Sequence, residues 1–248
     1  MTSTDISTQE KYETTLVDEL KDIKPNEYDE FIEDYTSKHD SKIVVKLEDK
    51  GIQENDNLNV LINNKEFKNE YKIDDNSIIE FNSNGIILDS LEESPEKEAT
   101  EPINDEENTA FTKIKDKVVN TLFGESVAAA SSTKTKSASN SRIAYSVYGT
   151  KLFEAKIGAD FTYDGTKVTA QRTINYIKKY FDGGLWSVYD KESAVQKPSD
   201  KKRVAYQSGT ASWGLSVYGV GIVIQERYIR VNVACDEKGN ITKSSILE

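Results

Sequence analysis

Phe153, Ala155, Ile157, Ala159, Phe161 and Tyr163 stand at strict two-residue spacing. Successive side chains of a strand point to opposite faces, so this spacing lines up six apolar groups on one face of a long strand. A helix would scatter them around its circumference. Asp164-Gly165 follows, a hairpin signal, because a type I′ turn needs positive φ at both central positions. The return run then offers Val168, Ala170, Ile174 and Tyr176 at the same period. Asp182-Gly183-Gly184 turns the chain again, and 190–203 reads as a polar loop with Pro198. Strand material resumes at 204–207, 211–215, 218–225 and 228–235. The last strand, 241–246, follows a turn at 237–240. Many strands between such turns, with no long helix among them, make 142–248 an antiparallel all-β sandwich of the immunoglobulin-like kind, or a barrel.

Charge divides the chain. Residues 1–110 hold 30 Asp and Glu against 11 Lys and Arg, a net −19, while 111–248 hold 13 against 21, a net +8. An attraction between the halves, or between either half and a partner, is built in.

The acidic half reads as a small α+β domain over 9–92, after a disordered start at 1–8. Tyr12, Leu16, Leu20 and Ile23 give a helical spacing that Pro25 breaks. Asn26 then caps a second helix, where Tyr28, Phe31, Ile32 and Tyr35 share a face. Strand-like runs follow at 42–47, 58–62, 77–81 and 86–91. Asn84-Gly85 between the last two is a hairpin signal. Residues 93–141 read as a linker, acidic and Pro-containing at first and built of small residues after 126. Within it, Phe111, Ile114, Val118, Val119 and Leu122 give 111–123 an amphipathic helical pattern.

No run approaches the roughly 20 apolar residues of a membrane-spanning helix. No basic and apolar leader opens the chain, so the expectation is a mature form with its leader removed. Cys235 stands alone, which allows no internal disulfide and suits a buried strand position; a reactive thiol is the alternative.

Few residues here suit catalysis. The chain has one His, His39, in a polar connection far along the sequence from Cys235, so a nucleophile paired with an imidazole is not expected. Zinc needs more Cys and His than are present. A two-carboxylate hydrolase is a minor reading, because the acids of the β half (Asp160, Asp164, Asp182, Asp190 and Asp236) fall mostly at turns. Asp56 and the Asp74-Asp75 pair cluster hard oxygen ligands for a cation without the twelve-residue calcium-loop pattern. Lys178-Lys179 and Lys201-Lys202-Arg203 are candidate partner-binding cations, and Trp186 and Trp213 candidate binding aromatics. A nucleic acid is not expected, since the acidic half would repel it. No cofactor is implied.

The C-terminal block contains Phe161-Thr162-Tyr163-Asp164-Gly165-Thr166, Ser208-Gly209-Thr210-Ala211, Gly219-Val220-Gly221 and Val231-Asn232-Val233-Ala234-Cys235-Asp236-Glu237-Lys238-Gly239-Asn240. With Trp186, this pattern over 142–248 resembles small secreted or surface-displayed β-sandwich proteins of Gram-positive bacteria. The resemblance implies an extracytoplasmic β-sandwich and lends no catalytic residues. The leading functional expectation is therefore a non-enzymatic extracellular binding module, associated with the cell envelope, whose partner is a protein or a wall polymer. The alternative is an acidic pro-region masking a basic, antibacterial-like effector released near 128–131.

Overall fold

The computed structural model describes residues 3–39, 68–82, 85–99, 133–146, 148–180, 186–217 and 220–247. The strands expected at 42–47 and 58–62, the helix expected at 111–123, Asp56 and the Asp182-Gly183-Gly184 turn lie outside these residues.

The chain opens with helix α1 (Ser3–Leu20), a 3₁₀ turn (Pro25–Glu27) and helix α2 (Tyr28–Lys38). Residues 3–8 are helical rather than a disordered start, since each residue added to a nucleated helix gains one more hydrogen bond. Pro25 sits at the first position of the 3₁₀ turn, where its missing N–H costs nothing. That turn puts Glu27 rather than Asn26 before α2, and no side chain caps it.

The described strands are β1 (Lys68–Lys72), β2 (Ser77–Asn82), β3 (Gly85–Glu93), β4 (Lys97–Glu98), β5 (Lys134–Tyr145), β6 (Lys151–Tyr163), β7 (Val168–Lys179), β8 (Trp186–Ser199), β9 (Lys202–Val217), β10 (Val220–Asp236) and β11 (Ile241–Leu247). They form two antiparallel sheets. One runs β1-β2-β3-β5-β6-β7 with β4 beside β5, and the other runs β11-β10-β9-β8. The fold is sandwich-like, mostly antiparallel β, and neither described sheet closes into a barrel.

The two halves of the sequence meet within the first sheet. β3 pairs with β5 from Ile86↔Tyr145 to Glu93↔Ala138. Residues 134–141, expected as the end of a linker, are therefore strand, held between β3 and β6. Strand preference is largely set by what packs beside and across a strand, and β5 has a neighbour on each side.

β5 also joins two cores. Ala138 and Ala144 face the second sheet and pack with the alternating row of β6 and with Ala205, Ala211, Ile229, Val231, Val233 and Cys235. Ile143 and Tyr145 face the other way and pack with Leu16, Leu20, Tyr28 and Ile32 of the helices and with Ile79, Ile86 and Leu88. The six alternating residues of β6 are at most 4 % exposed, so that expectation holds.

Several ion pairs join the acidic and basic halves. Lys134 meets Glu96 at 2.7 Å, Lys156 meets Glu92 at 3.1 Å, Arg142 meets Asp89 at 3.1 Å and Lys151 meets Asp29 at 2.6 Å. The exposed pairs contribute about 0–1 kcal/mol each. Burying a side chain such as Ile143 contributes about 1.5–3 kcal/mol. Strand pairing and burial therefore hold the halves together more than charge does.

Irregularities in the ladders decide which side chains face where. In β7, Gly158 pairs with Ile174 but Ala159 pairs with Arg172, so Thr173 is an extra residue. Such a bulge moves every later side chain to the other face. Ile177 is buried in the core, whereas Ile174 and Tyr176 leave the face they were expected to share with Val168 and Ala170. The expected loop at 190–203 is instead strand β8 with its turn. Pro198 is accommodated because β8 is an edge strand with a register shift between Gln196 and Ser199.

Candidate binding site

At the C-terminal end of β7, a hollow of about 560 Å³ is lined by Tyr176, Ile177, Lys178, Lys179, Tyr180 and Lys191. Two bulges put polar groups beside it. Tyr145 pairs with Lys151 while Ala144 pairs with Phe153, so Leu152 is an extra residue in β6. Without it, Lys151 and Glu154 would face opposite sides; with it, they share one. The Thr173 bulge likewise places Tyr176 and Lys178 on the side of Glu154, whose register partner is Lys178.

Glu154, beside the hollow, is a hydrogen-bonding hub. Its Oε1 accepts a hydrogen bond from the Tyr176 hydroxyl at 2.6 Å. Its Oε2 accepts one from Tyr180 at 2.7 Å and one from Lys151 Nζ at 2.8 Å. Burial works against the charge of this carboxylate, but the bonds from Lys151, Tyr176 and Tyr180 outweigh it and lower its pKa. Lys151 also donates to Asp29 of α2 at 2.6 Å. Burial opposes the Lys151 charge too, yet Asp29 and Glu154 raise its pKa. Tyr145 donates its hydroxyl to the same Asp29. α2 is thus tied to the sheet directly behind the hollow. Burial and the carboxylates raise the pKa values of Tyr145, Tyr176 and Tyr180, so all three stay protonated donors.

The Tyr180 ring gathers cations. Lys151 Nζ lies 4.2 Å and Lys178 Nζ 4.5 Å from its centroid, within cation–π range. Lys191, from β8, donates to the Ile177 carbonyl at 3.1 Å and closes the far side. Among the described residues, no carboxylate lies within ion-pair distance of Lys178 or Lys191. Ile177 forms the floor, packed so close to β9 that a Cβ on Gly209 would stand 2.7 Å from its Cδ1.

The other basic run lies elsewhere. The Val168 N–H donates to the Asp200 carbonyl, so 201–203 sits by the opposite end of β7. Arg203 is 7 % exposed, and its Nη1 donates to the carbonyls of Ser199 and Lys202. Lys201 approaches Glu237 at 3.8 Å. Lys202 is exposed at the start of β9. These residues do not join Lys178 and Lys179 in one patch. Trp186 and Trp213 stand opposite each other in the β8–β9 ladder, and their side chains lie outside the described parts.

Asp74 accepts the Asn76 N–H at 2.6 Å and the Tyr28 hydroxyl at 3.1 Å. Asp75 pairs with Lys72 at 2.6 Å. Among the described residues, no cluster of three or more His, Cys, Asp or Glu side chains could hold a metal. His39 stacks on Tyr35 at the end of α2. Cys235 is buried, as expected, and burial pushes its thiol up to about 12.

Sequence reasoning found Lys178-Lys179-Tyr180 but missed Lys191, Glu154, Tyr176 and Asp29 as their surroundings, none of which carries a local signal.

The fold and the hollow define a two-sheet antiparallel β-protein with a helical cover over one flank. No family model matches the chain, and neither a curated protein nor a solved structure matches it. Among the described residues, no helix is long and apolar enough to cross a membrane.

Proposed function

We propose that the chain is a non-enzymatic binding module of the cell exterior, secreted or surface-held, which takes an anionic partner of the envelope in the hollow at the end of β7. The observation that carries this reading is the meeting of Lys178 and Lys191 with two tyrosines at one hollow, in a chain whose net charge is −11. Glu154, bonded to both tyrosines of the lining, is already occupied by three donors. An anion entering the hollow meets ammonium groups rather than repulsion.

The test is sedimentation of the full chain with purified Gram-positive cell walls. Retention at low salt that falls at high salt is expected, and Lys178→Glu with Lys191→Glu should abolish it. Retention indifferent to salt, or unchanged in the double variant, would overturn the reading.

The second reading, an acidic pro-region cut from a basic effector near 128–131, faces an obstacle in strand pairing. β3 is hydrogen-bonded along β5, and the helices cover Ile143 and Tyr145. A chain cut there should remain one non-covalent complex. With a protease site inserted at 128–131, co-elution of both pieces after cleavage is the expected result, and free effector would favour the pro-region. The carboxylate-hydrolase reading has no facing acid pair to support it among the described residues named for it. Asp164 and Asp236 accept backbone N–H groups in turns, and Asp160 accepts the Ser137 hydroxyl.

A further inference from the structure

The second sheet buries one face against the first sheet and turns the other outward. Ala205, Ala211, Ile229, Val231 and Val233 lie on the buried face. Their alternates on β9 and β10 therefore lie on the outer one. We infer that this outer face is a second binding site, separate from the hollow, and that it takes a neutral, β-1,4-linked glycan chain.

Three strands assemble the face. Thr210 of β9 is the register partner of Tyr189 on β8 and of Tyr228 on β10, and Ser208 is the partner of Glu192 and Arg230. Tyr189 and Glu192, three positions apart, would face opposite sides of a regular strand. A bulge between them, with Asp190 at a φ of 49°, brings both to the outer face. The Tyr189 hydroxyl donates to Glu226 of β10. Its side chain thus lies across β9, from one flanking strand to the other, rather than standing up from the sheet. Ser212, the register partner of Glu226, is buried although it is on the outer face.

Two rings are open to a ligand. Tyr189 is 37 % exposed and Tyr228 39 %. Among the described residues, Tyr228 makes no hydrogen bond or ring contact, and no ring or cation stacks on Tyr189. Two strand spacings separate their backbones, about 10 Å, which is close to the length of two β-1,4-linked pyranose units. The C–H faces of such sugars stack on aromatic rings. A β-1,4 chain is also an extended, flat ribbon that suits a sheet face, whereas an α-1,4 chain coils.

Charge complementarity points to an uncharged occupant. Glu226 is held by Tyr189 and Glu192 by Tyr206. Arg230 lies 4.1 Å from the Tyr206 ring centroid and donates to Asn232 at 2.8 Å and Gln196 at 3.2 Å, so Tyr206 is covered and takes no part in the platform. Two carboxylates against one guanidinium give an anion no positive field. The carboxylates stand on opposite strands and do not converge on a cation. Each keeps acceptor sites beyond the one its tyrosine fills, and the Gln196 amide nitrogen and the Thr210 hydroxyl add donors. Sugar hydroxyls both donate and accept. Ile246 is the other exposed large apolar side chain on this face, too little for the apolar centre of a protein interface.

The experiment titrates cellohexaose and maltohexaose into the full chain by calorimetry. Cellohexaose is expected to bind about tenfold more tightly than maltohexaose. Its affinity should be the same at low and high salt, unlike binding at the hollow. Tyr228→Ala, at a ring with no hydrogen bond to lose, should weaken it about tenfold with folding retained by circular dichroism. Tyr189→Phe, which keeps the ring and removes its tie to Glu226, should weaken it about threefold. No binding of cellohexaose at millimolar concentration would overturn the inference and return the face to a protein partner. Equal affinity for the two hexaoses, or full affinity in folded Tyr228→Ala, would overturn it as well. None of these results touches the reading of the hollow, which is tested by charged polymer and by salt.

Discussion

Lys178-Lys179 and Lys201-Lys202-Arg203 are near-equivalent strings of charge in the sequence, and β7 separates their positions by roughly 35 Å. At one end of the strand, the lysines border a hollow beside which Glu154 is already held by three donors. At the other, Arg203 folds back onto its own turn and Lys201 has Glu237 beside it. There the turns after β6, β8 and β10 are stitched together by backbone bonds from Val168 to Asp200, Gly165 to Glu237 and Glu237 to Lys201. The difference teaches that a lysine becomes a binding candidate when, like Lys178, it has no carboxylate within ion-pair distance among the described residues, which a count of lysines does not reveal.

The largest effect should come from reversing charge at each end. Lys178→Glu with Lys191→Glu is expected to weaken binding of extracted wall polymer by about 100-fold. Lys201→Glu with Lys202→Glu should change it by no more than about twofold. Equal losses, read by calorimetry, would erase the distinction between the two runs.

Stability should show the reverse order. Arg203→Ala removes a buried side chain whose guanidinium donates to two carbonyls, at a cost of about 1–3 kcal/mol. Lys178→Ala is expected to stay within about 0.5 kcal/mol of the parent. Urea unfolding of the two variants measures both.

A smaller effect concerns acid. The folded pKa of Glu154 is lowered, so its contribution to stability is present above the unfolded carboxylate value of about 4.3. That contribution is lost as pH falls through the lowered folded value. Glu154→Gln should flatten this part of the stability–pH curve, with no matching change from a substitution at Lys202. Identical curves for the Gln variant and the parent would mean that Glu154 is not the hub described.

The smallest effect is on salt. Raising ionic strength should weaken ligand binding at the hollow progressively, while the Arg203 contribution, made by a buried side chain to uncharged carbonyls, stays nearly constant. Unfolding midpoints and binding constants measured over the same salt series would show whether the two responses part.

The long strand β6, the hairpin at Asp164-Gly165 and the helical spacing of Leu16, Leu20, Tyr28 and Ile32 could be read directly, because each depends on local periodicity or on one turn. β5 could not. Its Ser, Thr, Lys and Asn residues look like a tether until β3 and β6 stand on either side of it. The hollow was half legible. Lys178-Lys179-Tyr180 announced itself, but the partners that shape the site arrive from α2, β6 and β8. Their sides are set by extra residues at Leu152 and Thr173, and no composition signal marks those two positions as bulges.

The sequence by itself determined an antiparallel β-rich chain with an acidic and a basic half. Alternating apolar residues can be buried only by a sheet, and charge is carried by residue type alone. Only the tertiary structure decided that both halves share one sheet, and which lysines stand beside the hollow. Strand register and bulges place distant side chains within a few ångströms of one another, and a carboxylate at that range pairs with a cation that the sequence displays as free.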